Sequence, residues 1–146
     1  MLGAMAEIAD RALAWLRLWE GAIDRVDYAA GRALFSPDVV SFGTLTAFMV
    51  GIDELEAKQW RHIWPTIRDF RFEDPRVLPA DGDKAAVVVS RWRSRGRSAE
   101  GGWYERSGRC TLMLRMEEGR LVCCHSHLSM DQGVPALAAA ATARSN

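Results

Sequence analysis

The chain has 146 residues, 49% of them hydrophobic, and its 19 basic residues balance 19 acidic ones. That length suits one domain, taken here as residues 1–146, able to bury a good core. The absence of a basic excess argues against nucleic acid or an acidic membrane surface as partner. Three cysteines, two of them adjacent at Cys123 and Cys124, do not make a disulfide framework. A reduced, cytoplasmic setting is therefore expected. Glu7, Asp10 and Arg11 interrupt the N-terminus, so no signal peptide is read, and no apolar run approaches a membrane span. No CxxC or HExxH spacing points to a metal, and no cofactor is expected.

Helical periodicity opens the chain. Ile8, Ala12, Trp15, Leu16, Trp19 and Ile23 recur at three- and four-residue steps, which predicts an amphipathic helix over about 5–24. A second, short helix is predicted from Asp27, its cap, to Leu34, with Ser36-Pro37-Asp38 ending it. Val39 to Phe42 reads as a strand, and Ile52 to Ile63 as a third helix closed by Pro65. The period then changes. Ile67 to Leu78, Ala85 to Ser94, Trp103 to Met116 and Arg120 to Met130 are β-rich, with turn signals at Asp81-Gly82-Asp83 and Glu118-Gly119. Helices first and long antiparallel strands afterwards predict an α+β fold. Its mostly antiparallel sheet is expected to curl into a cone around the N-terminal helices, leaving an open end where a pocket forms. The core is placed at about 5–131, followed by an Ala-rich tail over 132–146.

Strand parity nominates the site. Leu121, Cys123, His125, His127 and Ser129 alternate along the last strand, so they are expected to share one face. That face is read as the lining of a half-wet cavity, with Ser129 as a ligand contact. Imidazoles near neutral pH serve as acid, base or ligand anchor, which makes His125 and His127 the catalytic candidates. They serve equally as internally hydrogen-bonded structural groups. Arg91, Arg93, Arg95, Arg97, Arg106 and Arg109 crowd one stretch. Most are expected to face solvent, with one or two turned inward to hold an anion. Arg91 shares a face with Val87 and Val89 and is the first choice, with Arg109 on the adjacent strand. Trp60 and Trp64, at i and i+4, are expected to wall the cavity, and Tyr104 to reach its mouth.

Two segments carry a resemblance. They are Phe35-Ser-Pro-Asp-Val-Val-Ser-Phe-Gly-Thr44 with Gly51, and Arg109-x-Thr111 running through Glu118-Gly119-Arg120 into His125-x-His127-x-Ser129. Together with the element order, they resemble the nuclear transport factor 2-like superfamily. The likeness is to its polyketide-cyclase-like (SnoaL-like) branch and to the association domain of calcium/calmodulin-dependent kinase II. A Trp frequent near position 121 in that family is Leu121 here. The resemblance implies a cystatin-like curved sheet, a cavity between sheet and helices, and a homodimer through the sheet's outer face. It also implies that Arg91 meets a carboxylate ligand.

Three functions are compatible with these residues. The first is a small-molecule-binding domain holding a polar or carboxylate-bearing compound in the cone. The second is an isomerase, cyclase or dehydratase with a pocket histidine as acid-base. The third is an oligomerisation module. The expected interface on the sheet's convex face includes Val88, Trp92, Cys124 and Leu128.

Overall fold

In the computed structural model, residues 2–135 and 137 are described. The Ala-rich stretch of the expected tail lies outside the described residues. The fold is α+β, with an N-terminal helix against a six-stranded, curved and unclosed sheet.

Helix α1 (Leu2–Arg25) buries Ile8, Ala12, Trp15, Leu16, Trp19 and Ile23, the stripe that its periodicity predicts. It ends in a Schellman motif. Val26 takes φ 53°, the Val26 N–H donates to the Ile23 carbonyl at 3.0 Å, and the Asp27 N–H to Ala22 at 2.9 Å. Asp27 then caps α2 (Tyr28–Ala33) by accepting from the Ala30 N–H.

Strand β1 (Phe35–Phe42) begins earlier than expected, because Ser36-Pro37-Asp38 lies inside it. Pro37 is tolerated because pairing with the last strand lapses between Phe35 and Val40. The two-residue β2 (Met49–Val50) follows. The third helical segment changes pitch along its length. It runs as α3 (Ile52–Leu55), a π-helical turn (Glu56–Trp60), α4 (Arg61–Ile63) and a 3-10 turn (Trp64–Thr66). Gln59 and Trp60, at the end of the π turn, are both buried.

Four long strands complete the chain: β3 (Ile67–Ala80), β4 (Ala85–Arg97), β5 (Trp103–Glu117) and β6 (Arg120–Met130). The order across the sheet is β2-β1-β6-β5-β4-β3. Every neighbouring pair is antiparallel except β1 and β6, which run parallel. The β5–β6 turn places Glu118 at φ 50° and Gly119 at φ 79°, the doubly positive pattern of a tight hairpin. Register shifts in β3 coincide with Asp69 and Asp74, both at positive φ. Such bulges increase local twist and help the sheet curl.

The helices cover the concave face. Its core includes Trp15, Trp19, Phe35, Phe70, Phe72, Trp92, Leu112 and Leu114. Glu20 is buried there. Its carboxylate accepts from the Phe72 N–H at 2.8 Å and from Arg17, tying α1 to β3. Gly108 leaves room for the Trp92 indole, which lies opposite it across the strands; a Cβ at Gly108 would collide with that ring and with the Ser129 carbonyl.

Candidate functional site

Two expectations about strand faces are corrected by the register. In β5–β6, Met113 pairs with His125 while the next residue, Leu114, pairs with Cys123. Cys124 is therefore an extra residue, a β-bulge, and the alternation changes phase across it. Leu121 and Cys123 face inward as expected, but past the bulge the inward residues are Ser126 and Leu128. His125, His127 and Ser129 turn to the outer face. The His125 ring meets the Val40 carbonyl through Nδ1 at 2.6 Å, and His127 is exposed. Phe42 packs edge-on to both imidazoles.

The second correction concerns Arg91. Valine occupies both faces of β4, so the valines alone do not reveal which face is buried. The structure buries Ala86, Val88, Ser90, Trp92 and Ser94, and turns Arg91, Arg93 and Arg95 outward. The Arg91 side chain is 61% exposed and lies 3.7 Å from Asp131. Arg109, its cross-strand partner, is also exposed. Arg91 therefore cannot hold an anion inside the cone. Trp92 and Val88, expected at an outer interface, are fully buried core residues, and Leu128 faces inward. Tyr104 lies at the start of β5 and donates its hydroxyl to the Pro135 carbonyl at 2.9 Å.

A cavity of about 50 Å³ opens between α1, the third helical segment and the inner face of the sheet. Trp60 and Trp64 stand on its wall, stacked at 4.5 Å between ring centroids. Both rings rest on Gly31 of α2, where a Cβ would come within 2.6 Å of Trp64. Phe70 and Trp92, stacked at 5.5 Å, also line it, as does Trp19. The polar lining comes from Gln59, Thr44, Ser126 and Arg106. Gln59 holds the neighbouring loop: its amide oxygen accepts from Leu45 N–H and the Thr46 hydroxyl, and its nitrogen donates to the Thr44 hydroxyl. Ser126 shares a buried 2.7 Å hydrogen bond with Ser41.

Arg106 is the cavity's distinctive group, and it was not singled out as the inward arginine from sequence. Only 2% of it is exposed. One guanidinium nitrogen donates to the Ser94 hydroxyl at 3.1 Å, another contacts the Met130 sulfur at 3.7 Å, and the group lies 5.2 Å from the Trp92 ring centroid. Among the described residues its Nε–H has no partner, and neither has the indole N–H of Trp19. Burial pushes the guanidinium pKa down from its ordinary value. Among the described residues no carboxylate pairs with it, and no Asp, Glu or His lines the cavity.

The geometry and the comparisons with known proteins define the class together. Residues 15–124 match the SnoaL-like domain family, and the chain belongs to that family. Its fold is shared with many solved structures, among them the three that follow. A nuclear transport factor 2-like superfamily protein from Salmonella enterica is 18% identical, with a TM-score of 0.74, over 89% of this chain and 96% of that one. A ketosteroid isomerase-like protein from Erwinia carotovora atroseptica is 25% identical, with a TM-score of 0.71, over 89% and 96%. The association domain of the Caenorhabditis elegans kinase CaMKII is 19% identical, with a TM-score of 0.67, over 87% and 98%. No curated protein matches the sequence. Among the described residues, no helix is long and apolar enough to cross a membrane.

Proposed function

We propose that this chain binds a small organic molecule in the cone cavity. The observation that carries the reading is the lining itself: flat aromatic walls from Trp60, Trp64, Phe70 and Trp92 with a few polar groups set among them. Concave, mostly apolar sites with sparse polar groups are the usual architecture of small-molecule binding. The histidine-base alternative has less support. Isomerase chemistry of the ketosteroid type needs an acidic base in an apolar site. The described lining offers none, and both nominated histidines lie on the other face of the sheet.

The test is saturation-transfer NMR with benzamide as a neutral, flat probe. Wild-type protein is expected to give a binding signal. Thr44→Trp, which places an indole at the cavity lining, is expected to abolish it while circular dichroism stays unchanged. A wild-type protein silent towards benzamide, or a signal untouched by Thr44→Trp, overturns the reading.

A homodimer through the outer sheet face is a second element of the proposal. The half-buried Val87, Val89 and Met113 form an apolar strip there with Leu78, which is 52% exposed. Phe48, 57% exposed and packed against Phe42, extends the apolar surface near β1. Large apolar surface left in water marks an interaction site. The name of the kinase association domain points the same way.

A further inference from the structure

We infer that Arg106 is the anchor for a singly charged carboxylate in the cone cavity, an inference that rests on the cavity reading above. Three exposed arginines of β3 and β4 already have partners for their charge. Arg71 pairs with Asp24, Arg93 with Glu73 and Arg95 with Asp69. Arg106 is the opposite case. Among the described residues it is the buried arginine, its polar contacts are a serine hydroxyl and a thioether, and its Nε–H is left without an acceptor. A buried charge with no opposite charge is costly, and each orphaned buried donor needs a physical reason. A second orphan, the Trp19 indole N–H, belongs to another residue lining the same cavity. A carboxylate supplies acceptors for N–H donors and the missing negative charge at once.

The surroundings restrict the ligand further. Arg106 is the sole cation among the described lining residues, so one negative charge is matched and a second would be left bare. The aromatic walls suit a flat apolar body. The volume of about 50 Å³ has room for about three to five waters at roughly 10–15 Å³ each. That is room for a carboxylate and about one or two atoms beside it, so a monocarboxylate such as benzoate places its charged end there and leaves its ring toward the open side of the cavity. Extended or multiply charged acids are too large or overcharged.

Calorimetric titration of benzoate and benzamide into wild type, Arg106→Met and Arg106→Lys tests this. Benzoate is expected to bind wild type more tightly than its neutral isostere. Arg106→Met should weaken benzoate about 10- to 100-fold, the scale of a lost charge-assisted hydrogen bond, and weaken benzamide by a clearly smaller factor. Arg106→Lys should retain part of the preference. Without ligand, Arg106→Met should melt no lower than wild type, because it relieves an uncompensated buried charge. Equal binding of benzoate and benzamide by wild type overturns the carboxylate inference and leaves the cavity reading standing. Failure of both probes to bind overturns the two together. Should Arg106→Met fail to fold, Arg106 is a structural group and the inference falls, unless wild type prefers benzoate and Arg106→Lys diminishes that preference.

Discussion

At the residue scale the faces of β5 and β6 decide which side chains meet a ligand. Arg106 alternates with Gly108, Cys110, Leu112 and Leu114, all buried, whereas His125 and His127 alternate onto the outer face. His125→Ala and His127→Ala are therefore expected to change benzoate affinity by less than about twofold, a difference below the energy of one hydrogen bond. A loss of tenfold or more in either titration would show that an imidazole reaches the cavity. The cysteines report on the same core. Burial raises the thiol pKa of both Cys110 and Cys123. The thiolate is the reactive form, so these two should resist a disulfide reagent at pH 8 and react once the protein is unfolded. Rapid labelling of Cys110 in the native protein would contradict the packing. Arg106 was legible in principle. In Arg106-x-Gly-x-Cys-x-Leu-x-Leu114 a single charged residue heads an otherwise apolar face. The β4 sequence, with valine on both faces, drew attention to Arg91 instead.

At the element scale, hydrophobic period located the helices and long strands well, because burial on one side of an element leaves a repeating trace. The first helix, the Asp27 cap and the Arg120–Met130 strand are cases in point. The bulge at Cys124 leaves no such trace. An inserted residue shifts the face of everything after it without changing composition, so parity read from Leu121 through Ser129 carried the histidines to the wrong side. The long-range tie of Glu20 to the Phe72 N–H was equally invisible, since it depends on where α1 crosses β3. Glu20→Ala would leave that buried N–H without an acceptor. It should destabilise the protein by about 1–3 kcal/mol in urea unfolding. A change within about 0.5 kcal/mol would mean the bond contributes little to holding α1.

At the scale of the whole molecule, the helices occupy the concave face and the other face presents Val87, Val89 and Met113 beside exposed Arg91, Arg109 and His127. The α+β architecture and family were readable from element order and a few local motifs. The proposed interface was not placed correctly, because Val88, Trp92 and Leu128 belong to the interior. On the revised face, light scattering should give a dimer for wild type at micromolar concentration and a monomer for Met113→Arg. That substitution sets a charge in the middle of the apolar strip. A wild-type monomer, or a Met113→Arg dimer, would remove this surface as the interface.

The anion site proposed for this chain lies inside the cone at Arg106 and not on the arginine-rich outer face. A crystal structure of the protein grown with benzoate tests it most directly. The ring should lie among Trp60, Trp64 and Trp92, with a carboxylate oxygen about 2.7–3.0 Å from the Arg106 Nε, the range of charge-assisted hydrogen bonds. Benzoate bound instead between Arg91 and Arg109, with the cavity left to water, would contradict it.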